Sequence, residues 1–142
     1  MNQEKEYIRL ILCRTIWGQA QIRSLLNITM QTRFRKILLL QKKAYSSLEA
    51  QIRAWIAQKN IHLREPDPLL LLLSCKLNCF RLKCHRKDSQ TISYMIIQST
   101  QGIIDSFTVL HGHSHKKSAL SLMAQTLLDC ENAFILQLQE LL

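Results

Sequence analysis

Side chains able to bind a metal or move a proton fall in three places along this chain. The first is a set of polar residues that recurs on otherwise apolar seams. Thr15 and Gly18 match Ser99 and Gly102 at a separation of 84, and Tyr45 matches Glu131 at 86. On facing helices Thr15, Tyr45, Ser99 and Glu131 form one central polar layer, in which the tyrosine and the glutamate can hydrogen-bond across the core. A di-metal site in a helical bundle asks for more: a glutamate from each of two helices and a Glu-x-x-His pair from each of the other two. Only Glu131 is a metal-competent carboxylate at this level, and no histidine accompanies it. One carboxylate does not hold two iron ions tightly.

The second place is the segment around Cys75, Cys79, Cys84 and His85, where Cys75 and Cys79 share one helical face at i and i+4. Thiolates with an imidazole are a donor set for tetrahedral zinc. The spacing is not a paired C-x-x-C knuckle, however, and cysteine is commonly a small buried hydrophobe, as expected also for Cys13 and Cys130. The third place is the run His111, Gly112, His113, Ser114, His115, whose alternate imidazoles could take a surface metal ion and whose commoner meaning is a helix end and polar turn. Glu131, Cys75, Cys79, His111, His113 and His115 are therefore the weak metal candidates, for zinc or iron, and no cofactor is expected. No G-x-S-x-G elbow or phosphate-cradling glycine loop is present, and Cys84 and His85 point about 100° apart on a helix, so the chain reads as a non-enzyme.

Long helices must carry these residues. Ile8, Ile11, Thr15, Gly18, Ile22, Leu25 and Leu26 run at heptad-like steps, and so do Ile92, Met95, Ser99, Gly102, Ser106, Val109 and Leu110. Phe34, Ile37, Leu38, Ala44, Tyr45, Leu48, Ile52 and Trp55 repeat as Leu120, Met123, Ala124, Cys130, Glu131, Phe134, Leu138 and Leu141. The chain thus reads as an αα-hairpin used twice, the plan of a ferritin-like four-helix bundle. The predicted organisation is one all-α domain, 1–142, with hairpin 1 over about 4–59, a crossover helix over about 67–87 and hairpin 2 over about 89–142. Within it helix 2 starts near Met30, Pro68 opens the crossover, and Ser114 or Lys117 opens the last helix.

At 47% hydrophobic and 20% charged residues the chain is neither disordered nor membrane-like. The net charge of +9 is uneven: residues 1–66 hold twelve Lys or Arg against four acids, and residues 89–142 hold two against four. A basic first hairpin suits nucleic acid or an anionic surface. Its cations are spread at helical spacing with few aromatics among them, which fits a solvated face or an acidic partner better. Leu38–Leu40 and Leu69–Leu73 read as apolar surface left over after one bundle is filled, favouring a homodimer or an unidentified protein partner. No secretory signal and no spanning helix is read, and a cytoplasmic location is expected.

Residues 14–26 (RTIWGQAQIRSLL) and 95–105 (MIIQSTQGIID), followed by 127–142, resemble a group of uncharacterised bacterial ferritin-like four-helix-bundle proteins. Gly18, Tyr45, Ser99, Thr100, Gly102, Ile103 and Glu131 occupy the places that carry the resemblance, while Asn132 and Ala133 stand where that group carries further acids. The resemblance implies the bundle fold over nearly the whole length and carries no activity with it. The expected function is therefore non-catalytic binding or self-association. The alternatives are a metal or redox role through Glu131 and Tyr45 or the crossover cysteines, and nucleic-acid or anionic-surface binding through the basic hairpin.

Overall fold

With only three glycines and two prolines to interrupt it, the chain is expected to be helical, and the computed structural model is. It describes residues 2–29, 31–85, 88–112 and 118–142, with 2 and 78–85 described by backbone alone; among these there are five helices and no strand. They are α1 (Asn2–Leu26), α2 (Thr32–Lys59), α3 (Pro68–His85), α4 (Asp88–Gly112) and α5 (Ala119–Gln139).

The ends have local causes. At the end of α1 the Arg35 guanidinium reaches back from α2 and donates to the carbonyls of Leu26 and Thr29, partners a helix C-terminus otherwise lacks. Helix α2 begins at Thr32, two residues later than Met30, after an extended Gln31 with no side-chain cap. It stops where Asn60 takes the left-handed conformation (φ 55°, ψ 43°) and returns its N–H to Ala57 and Ile56. Asp67 Oδ1 accepts from the Leu69 N–H at 2.9 Å and caps α3, with Pro68 in the first turn. Ser118 caps α5 through the Ser121 N–H at 3.2 Å; the expected openers Ser114 and Lys117 lie outside the described residues.

The repeat appears as matched buried stripes. Ile8, Ile11, Thr15 and Leu25 in α1 are buried, as are Ile92, Met95, Ser99 and Val109 in α4; Phe34, Leu38, Tyr45, Leu48 and Ile52 in α2 pair with Leu120, Ala124, Glu131, Phe134 and Leu138 in α5. Leu38 thus belongs to the core and not to an exposed Leu38–Leu40 stripe, because its spacing from Phe34 puts it on the inner face; only Leu39 and Leu40 are exposed. Each large aliphatic or aromatic side chain so buried stabilises the fold by about 1.5–3 kcal/mol.

Contacts along the seams set the directions. Tyr7 lies under Gly112, Arg14 meets Asp105 and Gln21 meets Tyr94, so α1 and α4 are antiparallel. Arg35 reaches Leu26 while Tyr45 lies at Gly18, so α1 and α2 are antiparallel too; Gln19 also meets Glu49, and Gln41 of α2 meets Cys130 of α5. Helices α2 and α4 therefore run the same way, and the chain between them must return the length of the pair. It does so beside α1: Arg9 Nε donates to the Arg64 carbonyl at 2.9 Å, and Pro66, Pro68 and Leu71 line one cleft with Ile16 and Ala20. Helix α3 then packs on α1 and, more lightly, on α4, with Cys75 buried beneath it.

Candidate functional site

Two glycines create the central layer. The Tyr45 ring lies on α1 at Gly18, where a Cβ would stand 2.7 Å from ring carbons, and the Glu131 carboxyl lies on α4 at Gly102, where a Cβ would stand 2.7 Å from Cδ. The same close approach is thus used twice, once per hairpin, and it brings the two large polar side chains tip to tip. Tyr45 Oη donates to Glu131 Oε1, and Ser99 Oγ donates to Glu131 Oε2 while also lying 3.3 Å from the Glu131 carbonyl. Tyr45, Ser99 and Glu131 are all essentially inaccessible to water. Thr15 is buried at the same level but does not join them. Its hydroxyl donates to the Leu12 carbonyl at 2.7 Å, because a helical threonine can bond back within its own helix.

The electrostatics follow from burial. Loss of water around the Glu131 carboxyl pushes it up to about 7; the hydrogen bonds from Ser99 and Tyr45 and the nearby Arg14 guanidinium oppose that shift, and Asp105 adds to it. Burial, and then the Glu131 carboxyl, hold the Tyr45 hydroxyl well above its ordinary range, so it stays a neutral donor. Burial and Glu131 also push the Cys130 thiol up to about 12, although Gln41 Nε2 donates to its sulfur at 3.2 Å. Cys13 is raised by burial as well. Neither cysteine carries the thiolate that redox or nucleophilic chemistry uses. At the layer's edge Arg14 Nε meets Asp105 Oδ2 at 3.3 Å, with Gln101 Nε2 on the other carboxylate oxygen at 3.1 Å. That pair, and the Gln41 to Cys130 contact, are missed when each residue is read alone as surface or packing. The signal that could find them is the antiparallel register, in which 14 falls opposite 105 as 7 falls opposite 112.

The layer does not fit the di-metal centre that a ferritin-like bundle implies. Its oxygen donors are one carboxylate, one phenol and one hydroxyl, and both carboxylate oxygens already accept hydrogen bonds. Of the remaining candidates, only Cys75 and His111 have described side chains, and neither joins the layer. Cys75 is buried under α3; Cys79 lies there by backbone only, its side chain outside the described residues, as are those of Cys84 and His85. His111 is exposed at the end of α4 and stacks on Phe107 with centroids 5.9 Å apart, while His113 and His115 lie outside the described residues. No group of three or more His, Cys, Asp or Glu comes together among the described residues.

Among the described residues the surface bears clefts of about 250, 680 and 500 Å³, and none of these is lined by Tyr45, Ser99 or Glu131. The smallest lies where the 60–67 linker crosses α1. There Arg53 bonds Glu49 and Glu65 at 2.7 and 2.6 Å and Glu49 accepts from Gln19 at 2.6 Å. The largest lies between the start of α1 and residues 62–64, with Lys5, Arg9 and Arg64 facing Glu6. Neither assembles a nucleophile with a base. No helix of the described residues is long and apolar enough to cross a membrane.

No known family's sequence pattern matches the chain, and no curated protein matches it. The fold is similar to that of a solved DUF305 fragment from Deinococcus radiodurans, with a TM-score of 0.79 over 99% of this chain and 95% of that one, at 13% sequence identity. The likeness establishes a shared all-α architecture with an uncharacterised domain.

Proposed function

We propose that this chain is a non-catalytic, ferritin-like bundle of bacterial type in which a sealed hydrogen-bonded layer stands where related bundles hold metal, and that it works in the cytoplasm as a binding protein, docking onto a partner through its surface. One observation carries the reading. Leu69, Leu70, Leu72, Leu73 and Leu77 of α3 are each 51–66% exposed, while Leu71 on the opposite side is half-buried and Cys75 is buried. A contiguous apolar ridge of this kind is a contact surface more often than an accident of folding.

Stability decides whether the ridge is a contact surface. If it faces a partner, Leu69→Glu with Leu73→Glu leaves the urea midpoint of the isolated chain within the small range of ordinary surface substitutions, about 0.5 kcal/mol each. A loss several times larger means that the leucines pack within the chain itself, and the reading falls.

A further inference from the structure

Resting on that reading, we propose that the partner of the α3 ridge is an anionic lipid surface, onto which the chain docks peripherally. Shape comes first. At 100° per residue Leu69, Leu70, Leu73 and Leu77 fall within one outward arc, with Leu72 and the exposed Lys76 at its margin. A single helix lying on a bundle presents this arc as a convex ridge. A lipid interface accepts a convex ridge without a matched groove, and leucines can enter the acyl boundary while cations stay at the headgroups.

Charge selects the same occupant. From Lys76 to Lys87 the sequence holds five Lys or Arg and no acid, directly after the leucines, and the hairpin on which α3 rests belongs to the strongly basic first half of the chain. Cations beside an anionic leaflet strengthen attachment about fivefold each. A second copy is the poorer occupant. The five leucines expose roughly 500 Å² of apolar surface, about the apolar share of the ~800 Å² per partner in a standard stable interface, so charge and not area separates the two occupants. Two chains of charge +9 bring like charge together as they dock. No helix of the described residues is long and apolar enough to span the bilayer, and the ridge is the contact that this docking uses.

Co-sedimentation with vesicles of phosphatidylglycerol and phosphatidylcholine (1:3), beside pure phosphatidylcholine, tests this on the intact chain. The expected result is partition onto the anionic vesicles at least tenfold above the neutral ones, falling at 0.5 M salt, and reduced at least tenfold in L69E/L73E with unchanged helical circular dichroism. Lys76→Glu, which leaves the leucines in place, should weaken it severalfold. Absence of binding to anionic vesicles overturns the lipid assignment, as does binding that L69E/L73E leaves unchanged, since that would assign it to scattered cations. A dimer in light scattering that L69E/L73E dissolves assigns the ridge to a second copy. In each of these cases an unchanged urea midpoint keeps the ridge as a contact surface, whereas a collapsed midpoint removes that broader reading as well.

Discussion

Glu131→Gln should abolish a specific pH dependence of stability. In the folded chain burial pushes the Glu131 carboxyl up to about 7, against an ordinary value of 4.5, so between these values the folded state holds a proton that the unfolded state has released. Stability from this group is then fully present below pH 4.5 and is lost as pH rises through 7. The displacement is worth about 3 kcal/mol at full deprotonation, of which about 2–3 kcal/mol falls between pH 5 and pH 8, most of it before pH 7. The layer can hold the neutral acid. A protonated Glu131 donates to Ser99 Oγ, Ser99 turns its own proton to the Glu131 carbonyl 3.3 Å away, and Tyr45 still donates to Oε1. Glutamine reproduces this pattern, its amide N–H replacing the acid proton. Urea unfolding of both chains at pH 5, 6, 7 and 8 reads the effect as a difference, which cancels the titration of the five histidines. The wild-type chain should lose ground to E131Q as pH rises and level off above pH 8. Curves that run parallel would refute the raised carboxyl, and a wild-type chain that gains on E131Q would show a carboxylate stabilised by Arg14 and its donors. Tyr45→Phe adds a second reading: it removes a donor that favours the charged form, so the step should move to higher pH.

Other consequences can be measured on the same material. Gly18→Ala should destabilise the chain by about 1–3 kcal/mol, despite the roughly 1 kcal/mol that alanine adds in a helix, because the rigid Tyr45 ring must move; a stabilised variant would show that the close approach is absent. Gly102→Ala should cost less, since the carboxyl it meets ends a flexible side chain, and urea midpoints of the two variants give the order. Cys130, with its thiol pushed up to about 12, should resist iodoacetamide at pH 8 in the native chain and react once urea is added, read by peptide mass mapping. Native labelling of Cys130 would contradict its raised thiol.

What was legible in the sequence was what has a period. The stripes through Ile8, Ile11 and Leu25, and the pairing of Tyr45 with Glu131, follow from spacing, because helical periodicity places residues on faces and a duplication places faces on each other. Hydrogen-bond choice is not periodic. Nothing in the spacing says that Thr15 bonds within its own helix while Ser99, its counterpart, reaches across to Glu131. The part-buried Arg14 and Asp105 pair was hidden for a related reason: each is ordinary surface chemistry until the partner helix supplies the other. Five consecutive leucines at 69–73 carry no period either, so which of them faces α1 had to come from the fold; Leu71 and the later Cys75 do.

The duplicated part of the chain closes its own chemistry. Glu131 receives two donors, Tyr45 spends its proton on Glu131, Thr15 and Ser106 return theirs to carbonyls of their own helices, and the glycines are filled by the side chains they admit. A layer so satisfied offers a ligand only what it would first have to break, and breaking a buried charged hydrogen bond costs more than a surface contact returns. Helix α3 lies outside that closure. It has no counterpart in the repeat, and it is laid on the bundle by the need to carry the chain between two helices that run the same way. A connector needs only one apolar stripe to stay in place, and among the described side chains Leu71 and Cys75 lie on that side; the exposed leucines on the other are more than the connection requires. That excess, on the one element the duplication does not explain, is the reason to look for the function of this chain at α3 and not between the four long helices.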